Sequence, residues 1–334
     1  MQPATRARTL MHRSKLVLLE VKTKFALALG VVQLAVALSI LPGEGLAAEI
    51  LVANQDGNSV AEYTTSAALI NSALISGLTG PYSVATSGSD IFVGNTNTGT
   101  IGEYTASGAT VNASLISGLD YPGGIAVSGG DLFVANVNGN TIGEYTLSGA
   151  TVNASLITGL SGPESILISG GDIFVANFGS GATWSVGEYT TAGATVNASL
   201  ISGAGHATGL ALSGSNLFVA VESLNTIGEY TLSGATVNAS LITGLNIYPW
   251  SLAIVGNNLL VDNLGTGNPN SGSIGEYTLS GTAVNASLIT GLEHPTSIAI
   301  LTPEPSSWIM LAIGTVAMAA GGLLTRRRSR LAPR

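Results

Sequence analysis

The sequence predicts an all-β chain closed into a six-bladed β-propeller. Three observations carry this: a repeat near forty residues, four short strand signals in each repeat, and chain ends that complement one another. The repeat is marked by a Glu-Tyr pair at Glu62-Tyr63, Glu103-Tyr104, Glu144-Tyr145, Glu188-Tyr189, Glu229-Tyr230 and Glu276-Tyr277, with steps of 41, 41, 44, 41 and 47 residues. A period near 40 that holds several short strands is the signature of propeller blades.

Ahead of the repeats, residues 1–48 predict a signal peptide. Arg6, Arg8, Arg13, Lys15, Lys22 and Lys24 precede the apolar run Phe25–Leu41, and small residues follow to Ala47 and Ala48. That is the basic, apolar, small-residue order of an export signal, here a signal helix with cleavage expected after Ala47 or Ala48. An uncleaved anchor helix is the alternative reading, and Met11 an alternative start.

Residues 49–302 hold the repeats, and one unit shows the logic. Gly124–Ser128 is a short apolar strand, Gly129-Gly130 a turn, and Asp131–Asn136 a second strand. Asn138-Gly139-Asn140 supplies the positive φ values of a tight hairpin. Thr141–Thr146 and Thr151–Ile157 are the third and fourth strands. No segment between the termini has the 3.6-residue apolar period of a helix. Glu49–Asn54 starts at the second-strand position, and the last repeat leaves an isolated first strand, Ser297–Ile300. Pairing those ends completes six four-stranded blades and removes the open edge an unclosed sheet would expose. An open β-solenoid is the competing architecture. The apolar, Leu-Phe-Val-Ala-type and Ile-x-x-Tyr-type strands of Glu49–Ile300 resemble those of NHL-type and virginiamycin B lyase-like propellers.

Residues 303–334 read Pro303-Glu304-Pro305, then an apolar run Trp308–Leu324, then Arg326-Arg327-Arg328 and further arginine. Seventeen apolar residues just span a bilayer as a transmembrane helix, with the arginines cytoplasmic. The triplet, single helix and terminal Arg cluster resemble the PEP-CTERM sorting signal of Gram-negative bacteria. The resemblance implies recognition by an exosortase, cleavage near Pro303–Pro305, a transient stay in the inner membrane, and display at the cell envelope, surface or extracellular matrix of species that make exopolysaccharide. An ordinary tail anchor is the alternative.

Charge narrows the function classes. All 11 Lys and Arg lie in residues 1–24 or 326–334, whereas Glu49–Thr302 holds 16 Asp and Glu and no Lys or Arg. A phosphate backbone needs cationic neutralisation, so nucleic-acid binding is excluded. Cations or neutral sugars are compatible ligands. The chain has no cysteine, which removes disulfides and thiolate chemistry.

Candidate chemistry is sparse. The six repeated glutamates sit in mid-strand and read as repeated blade contacts rather than a convergent ring. Asn54, Asn95, Asn136, Asn177 and Asn263 end second strands, with Glu222 and Asp262 nearby. They read as turn chemistry, with calcium or magnesium coordination the competing use; no cofactor and no metal ligand set is assigned. The Asn-Ala-Ser triplets at Asn112, Asn153, Asn197, Asn238 and Asn285 mark exposed outer strands. No nucleophile elbow or oriented base is recognisable, so no catalytic residue is assigned.

Specificity in repeat proteins lives in variable loops. Second-to-third-strand loops carry insertions at Phe178–Trp184 and Gly265–Ser273; fourth-to-first-strand loops carry Tyr82, Tyr121, Glu164, His206, Tyr248, Trp250, Glu293 and His294. Both classes emerge on one propeller face. Tyr121, Trp184, His206, Tyr248, Trp250 and His294 are therefore the predicted ligand-binding residues, with exposed aromatics as platforms for sugar rings or protein. The expected function is non-catalytic binding of exopolysaccharide or a matrix protein by an exported surface protein. Two alternatives stand beside it. One is a metal-dependent lactonase or lyase-like enzyme using His206 and His294; the other is a structural surface component that pairs through its outer strands.

Overall fold

The computed structural model describes residues 48–179, 183–245 and 248–302. The predicted signal helix and the sorting segment, with Pro303, Glu304, Pro305, Arg326, Arg327 and Arg328, lie outside the described residues.

The described chain forms six four-stranded antiparallel sheets, each a blade. Blade 1 pairs Glu49–Asn54 with Pro295–Leu301 from the far end of the array, setting Ile50 opposite Ile300 and Val52 opposite Ile298. Blades 2 to 6 run Pro81–Ser117, Pro122–Ile157, Pro163–Ala204, Ala207–Ile242 and Pro249–Leu292. The ring therefore closes within the repeats. Inner strands start two residues earlier than the apolar pattern indicates, at Pro122 rather than Gly124 and Pro295 rather than Ser297, because a proline opens the strand. Helical backbone among the described residues is confined to the 3-10 turn Glu222–Leu224.

Second strands such as Asp131–Asn136 are buried along almost their whole length. They carry a continuous apolar run because both faces of a blade are covered by neighbouring blades, so strict alternation is lost. Third strands obey a different rule. In Gly143-Glu144-Tyr145 the tyrosine folds back over the glycine two residues before it, on the same strand face. A Cβ at Gly143 would stand 2.8 Å from the Tyr145 ring and hydroxyl.

The outer strands, of the type Thr151–Ile157, are exposed up to their last two residues, Leu156 and Ile157. Each is broken by a bulge. Glu144 pairs with Asn153 and Ile142 with Ile157, so the outer strand carries extra residues between those points. The Asn153 Oδ1 accepts the Ser155 N–H at 3.1 Å, and Asn112, Asn197, Asn238 and Asn285 do the same for the serine two residues on. The asparagine is thus the device that pins the bulge, since Asn71 does the same for Ala73 in blade 1 without the triplet.

Inner strands of adjacent blades are clipped by hydroxyls. Ser297 Oγ accepts the Val84 N–H at 3.1 Å, Ser251 Oγ accepts that of Ile298 at 3.1 Å, and Thr208 Oγ1 donates to the Pro249 carbonyl at 3.0 Å.

Candidate functional site at the channel mouth

Each inner strand begins with a small irregularity that faces the central channel. In blade 2, Pro81 pairs with Asn95 and Ser83 with Gly94, leaving Tyr82 as an extra residue. The same slip isolates Glu164 in blade 4 and Thr296 in blade 1. In blades 3, 5 and 6 it falls at Gly123-Gly124, Thr208-Gly209 and Trp250-Ser251. A β-bulge re-aims the residue it inserts. Thr296, Tyr82, Gly123, Glu164, Thr208 and Trp250 line one cavity of about 130 Å³, and five of these six residues, all but Gly123, carry a side chain.

Bulk alternates around this ring. Blades 2, 4 and 6 contribute Tyr82, Glu164 and Trp250, whereas blades 1, 3 and 5 contribute Thr296, Gly123 and Thr208. Small residues make room for large ones: a Cβ at Gly123 would lie 3.5 Å from a Glu164 carboxylate oxygen. The large residues are connected. The Trp250 ring lies edge-on beside Tyr82, and Tyr82 donates to Glu164 Oε2 at 3.1 Å. Tyr82 also meets the Tyr121 ring edge-on at 5.3 Å and the Trp250 ring at 6.0 Å. Phe178 lies 6.4 Å from Trp250 and stacks on His206 at 4.0 Å. An aromatic chain therefore crosses the mouth from blade 5 to blade 3.

Burial dominates the electrostatics. The Glu164 carboxyl is pushed up to about 7 by desolvation, although the Tyr82 hydrogen bond favours its charged form. Tyr82 and Tyr121 are pushed up, first by burial and then by the Glu164 charge, so both stay neutral donors.

The residue before each inner strand builds the rim. It takes left-handed backbone at Gly80, Tyr121, Gly162, Tyr248 and His294, with φ of 66°, 59°, 60°, 63° and 55°. Such a conformation costs a non-glycine residue about 1–2 kcal/mol, so the aromatic side chains at Tyr121, Tyr248 and His294 are held at some expense. An asparagine from the preceding blade locks the turn: Asn225 Oδ1 accepts the Tyr248 N–H at 2.8 Å, as Asn58 does for Gly80 at 3.0 Å.

Of the predicted ligand-binding residues, these contacts join Tyr121, His206 and Trp250. Tyr248 is exposed on the rim, and His294 lies 3.6 Å from Asp56. His206 pairs with Glu222 at 3.3 Å. Trp184 requires a correction. The insertion before it lengthens the third strand to Thr183–Thr190, so Trp184 becomes a strand residue opposite Gly203. It is 4% exposed, its Nε1 donates to the Ala204 carbonyl at 3.0 Å, and its ring packs against Tyr230. It is core, not platform. Tyr82, Glu164 and Phe178 complete the cluster. Their common signal is position after the strand-opening proline for the first two, and the start of an insertion for the third.

The strand-end asparagines behave as turn residues in three blades. The Oδ1 atoms of Asn95, Asn136 and Asn177 accept the N–H groups of Thr79, Asp120 and Ser161. Those of Asn54 and Asn263 have no partner among the described residues. No group of three or more His, Asp or Glu converges among the described residues.

No family model matches the chain, and no curated protein matches it. Solved structures do. A nidogen/laminin complex is 16% identical, with a TM-score of 0.62, over 77% of this chain and 100% of that one. A streptogramin B lyase is 16% identical, with a TM-score of 0.55, over 75% and 89%. A catalytically inactive virginiamycin B lyase from Staphylococcus aureus with quinupristin is 18% identical, with a TM-score of 0.52, over 74% and 86%. The neighbours include virginiamycin B lyase-like propellers, and at such identities the likeness is one of fold: the described chain is a six-bladed propeller of four-stranded blades.

Proposed function

We propose that this is an exported cell-surface or matrix protein of a Gram-negative bacterium that binds exopolysaccharide without catalysis, through the channel mouth. The observation that carries the reading is the aromatic chain of Tyr121, Tyr82, Trp250 and Phe178 across a water-reachable cavity. Aromatic faces with polar edges suit sugar rings. Export and exosortase sorting are supported by the residues 1–48 and 303–334 patterns. Matrix protein is the alternative partner for the same face.

Co-sedimentation with exopolysaccharide from the producing organism tests the binding. Saturable binding is expected, reduced at least tenfold in Trp250→Ala. No binding, or binding indifferent to that change, rejects the site. Alanines at Pro303, Glu304 and Pro305 are expected to leave the chain in the inner-membrane fraction.

A lyase or lactonase is the second reading. The observation in its favour is Glu164, which at about 7 is poised as a general base at neutral pH. Chelator-sensitive lactone turnover that disappears in Glu164→Gln would select it.

A further inference from the structure

We propose that the channel mouth recognises an ammonium group, so that the glycan it takes carries free amines. This rests on the glycan-binding reading of the same site and names the ligand class.

Glu164 is a carboxylate inside a polyanion: between Glu49 and Thr302 there is no Lys or Arg to pair with it. Its partner in the structure is the neutral Tyr82 phenol. A carboxylate withdrawn from water without a countercharge is costly, and a cationic ligand group removes that cost. Two aromatic side chains, Tyr82 and Trp250, share the wall with hydroxyl and aliphatic residues. Tyr82 meets Tyr121 at 69° and Trp250 at 89°, so parallel stacking does not consume their faces. Ammonium groups are attracted to such faces, and more strongly where water is excluded.

Size and donor set argue against the other occupants. The cavity of about 130 Å³ admits a charged group of several heavy atoms such as a substituted ammonium, since each water takes roughly 30 Å³. A hard divalent cation would look for roughly six or more oxygens, whereas the ring offers one carboxylate and the three hydroxyls of Tyr82, Thr208 and Thr296, each already donating to a protein oxygen. A neutral sugar would leave the Glu164 charge uncompensated.

Binding should also sense pH. Glu164 attracts a cation only when ionised, and burial pushes its carboxyl up to about 7. The groups facing it from the other inner strands are Thr296, Gly123, Thr208, Trp250 and Tyr82, with Tyr121 on the rim. His206 lies beyond Phe178, paired with Glu222, and Asp262 is buried on the second strand of blade 6. Glu164 is therefore the carboxyl that lines the cavity itself.

Calorimetric titration of the full chain tests this, in about 0.15 M salt to screen general attraction to the polyanion. The ligands are a glucosamine tetramer, its N-acetylated counterpart and tetramethylammonium, whose charge does not titrate. The amine tetramer should bind at least tenfold more tightly than the acetylated one, and Glu164→Gln should erase that difference while Asp131→Asn leaves it. Tetramethylammonium should bind several-fold more weakly at pH 6 than at pH 8 to the unaltered chain, an arm that needs no variant to fold. Equal affinity for the two tetramers, both weakened by Trp250→Ala, overturns the ammonium assignment and leaves glycan binding standing. Failure of both tetramers and of the exopolysaccharide removes both readings.

Discussion

Asp262 stands where the other blades place Ala53, Gly94, Ala135, Ala176 and Ala220. It is fully buried, both carboxylate oxygens lack a partner among the described residues, and burial pushes its carboxyl well up. Leaving a buried polar group unpaired costs about 1–3 kcal/mol. Asp262→Ala restores the side chain that four blades use and is expected to raise the melting temperature by a few degrees. An unchanged or lower value would mean that the carboxyl has a partner supplied from solution. The break in the pattern at Asp262 is visible in the sequence, but its burial is not, because the second strand is covered on both faces. Trp184 misleads for a related reason: an insertion between strands can extend the strands instead of the loop, and only pairing with Gly203 reveals which.

At the scale of the strand, Gly-Glu-Tyr is a packing unit. Tyr104, Tyr145, Tyr189, Tyr230 and Tyr277 are buried over their glycines, whereas blade 1 has Ala61 there and Tyr63 is only half-buried. Gly143→Ala should therefore displace Tyr145 and cost about 1–3 kcal/mol, the range for overpacking a close-packed site. A melting temperature within a degree of the unaltered chain would refute that account. The outer strands carry the opposite lesson. Their bulges, pinned by Asn153 and its counterparts, interrupt the free edge and so oppose the edge-to-edge pairing that a purely structural coat would use. Period, strand count and closure were legible in the sequence, because each follows from turn residues and apolar runs. The channel ring was not legible from the Glu-Tyr alignment. It emerges when repeats are aligned on Pro81, Pro122, Pro163, Pro249 and Pro295, with Ala207 in blade 5, since the bulged residue follows each one.

Taken as a whole, the propeller of residues 49–302 is a ring of carboxylates without Lys or Arg, which reverses the usual dependence of stability on pH. In blades 5 and 6 the third-strand glutamate has an amide partner: Asn216 donates to Glu229, and Asn258 to Glu276, each at 2.7 Å. Blades 1 to 4 place Glu49, Asp90, Asp131 and Asp172 there instead. Glu62 is pushed up to about 7 by burial and by its contact with Glu49. Glu103, Glu144 and Glu188 are raised by burial and by the neighbouring aspartate. Glu164 reaches about 7 at the channel mouth. For every one of these groups the folded state holds its proton more tightly than the unfolded chain does. The contribution of Glu62 and Glu164 is complete below the ordinary carboxylate value of 4.5 and is lost as pH rises through about 7, and that of Glu103, Glu144 and Glu188 changes in the same direction, so stability should fall across that window. Self-repulsion of the ionised ring acts in the same direction. The melting temperature at pH 8 is expected to lie about 5–10 °C below that at pH 5. Replacing Glu49 by Gln and Asp90, Asp131 and Asp172 by Asn copies the amide pairing of blades 5 and 6. That variant should melt higher than the unaltered chain at pH 8 and show a flatter pH profile. A native chain as stable at pH 8 as at pH 5, with no gain from the amides, would mean that bound cations bridge the carboxyl pairs in place of protons.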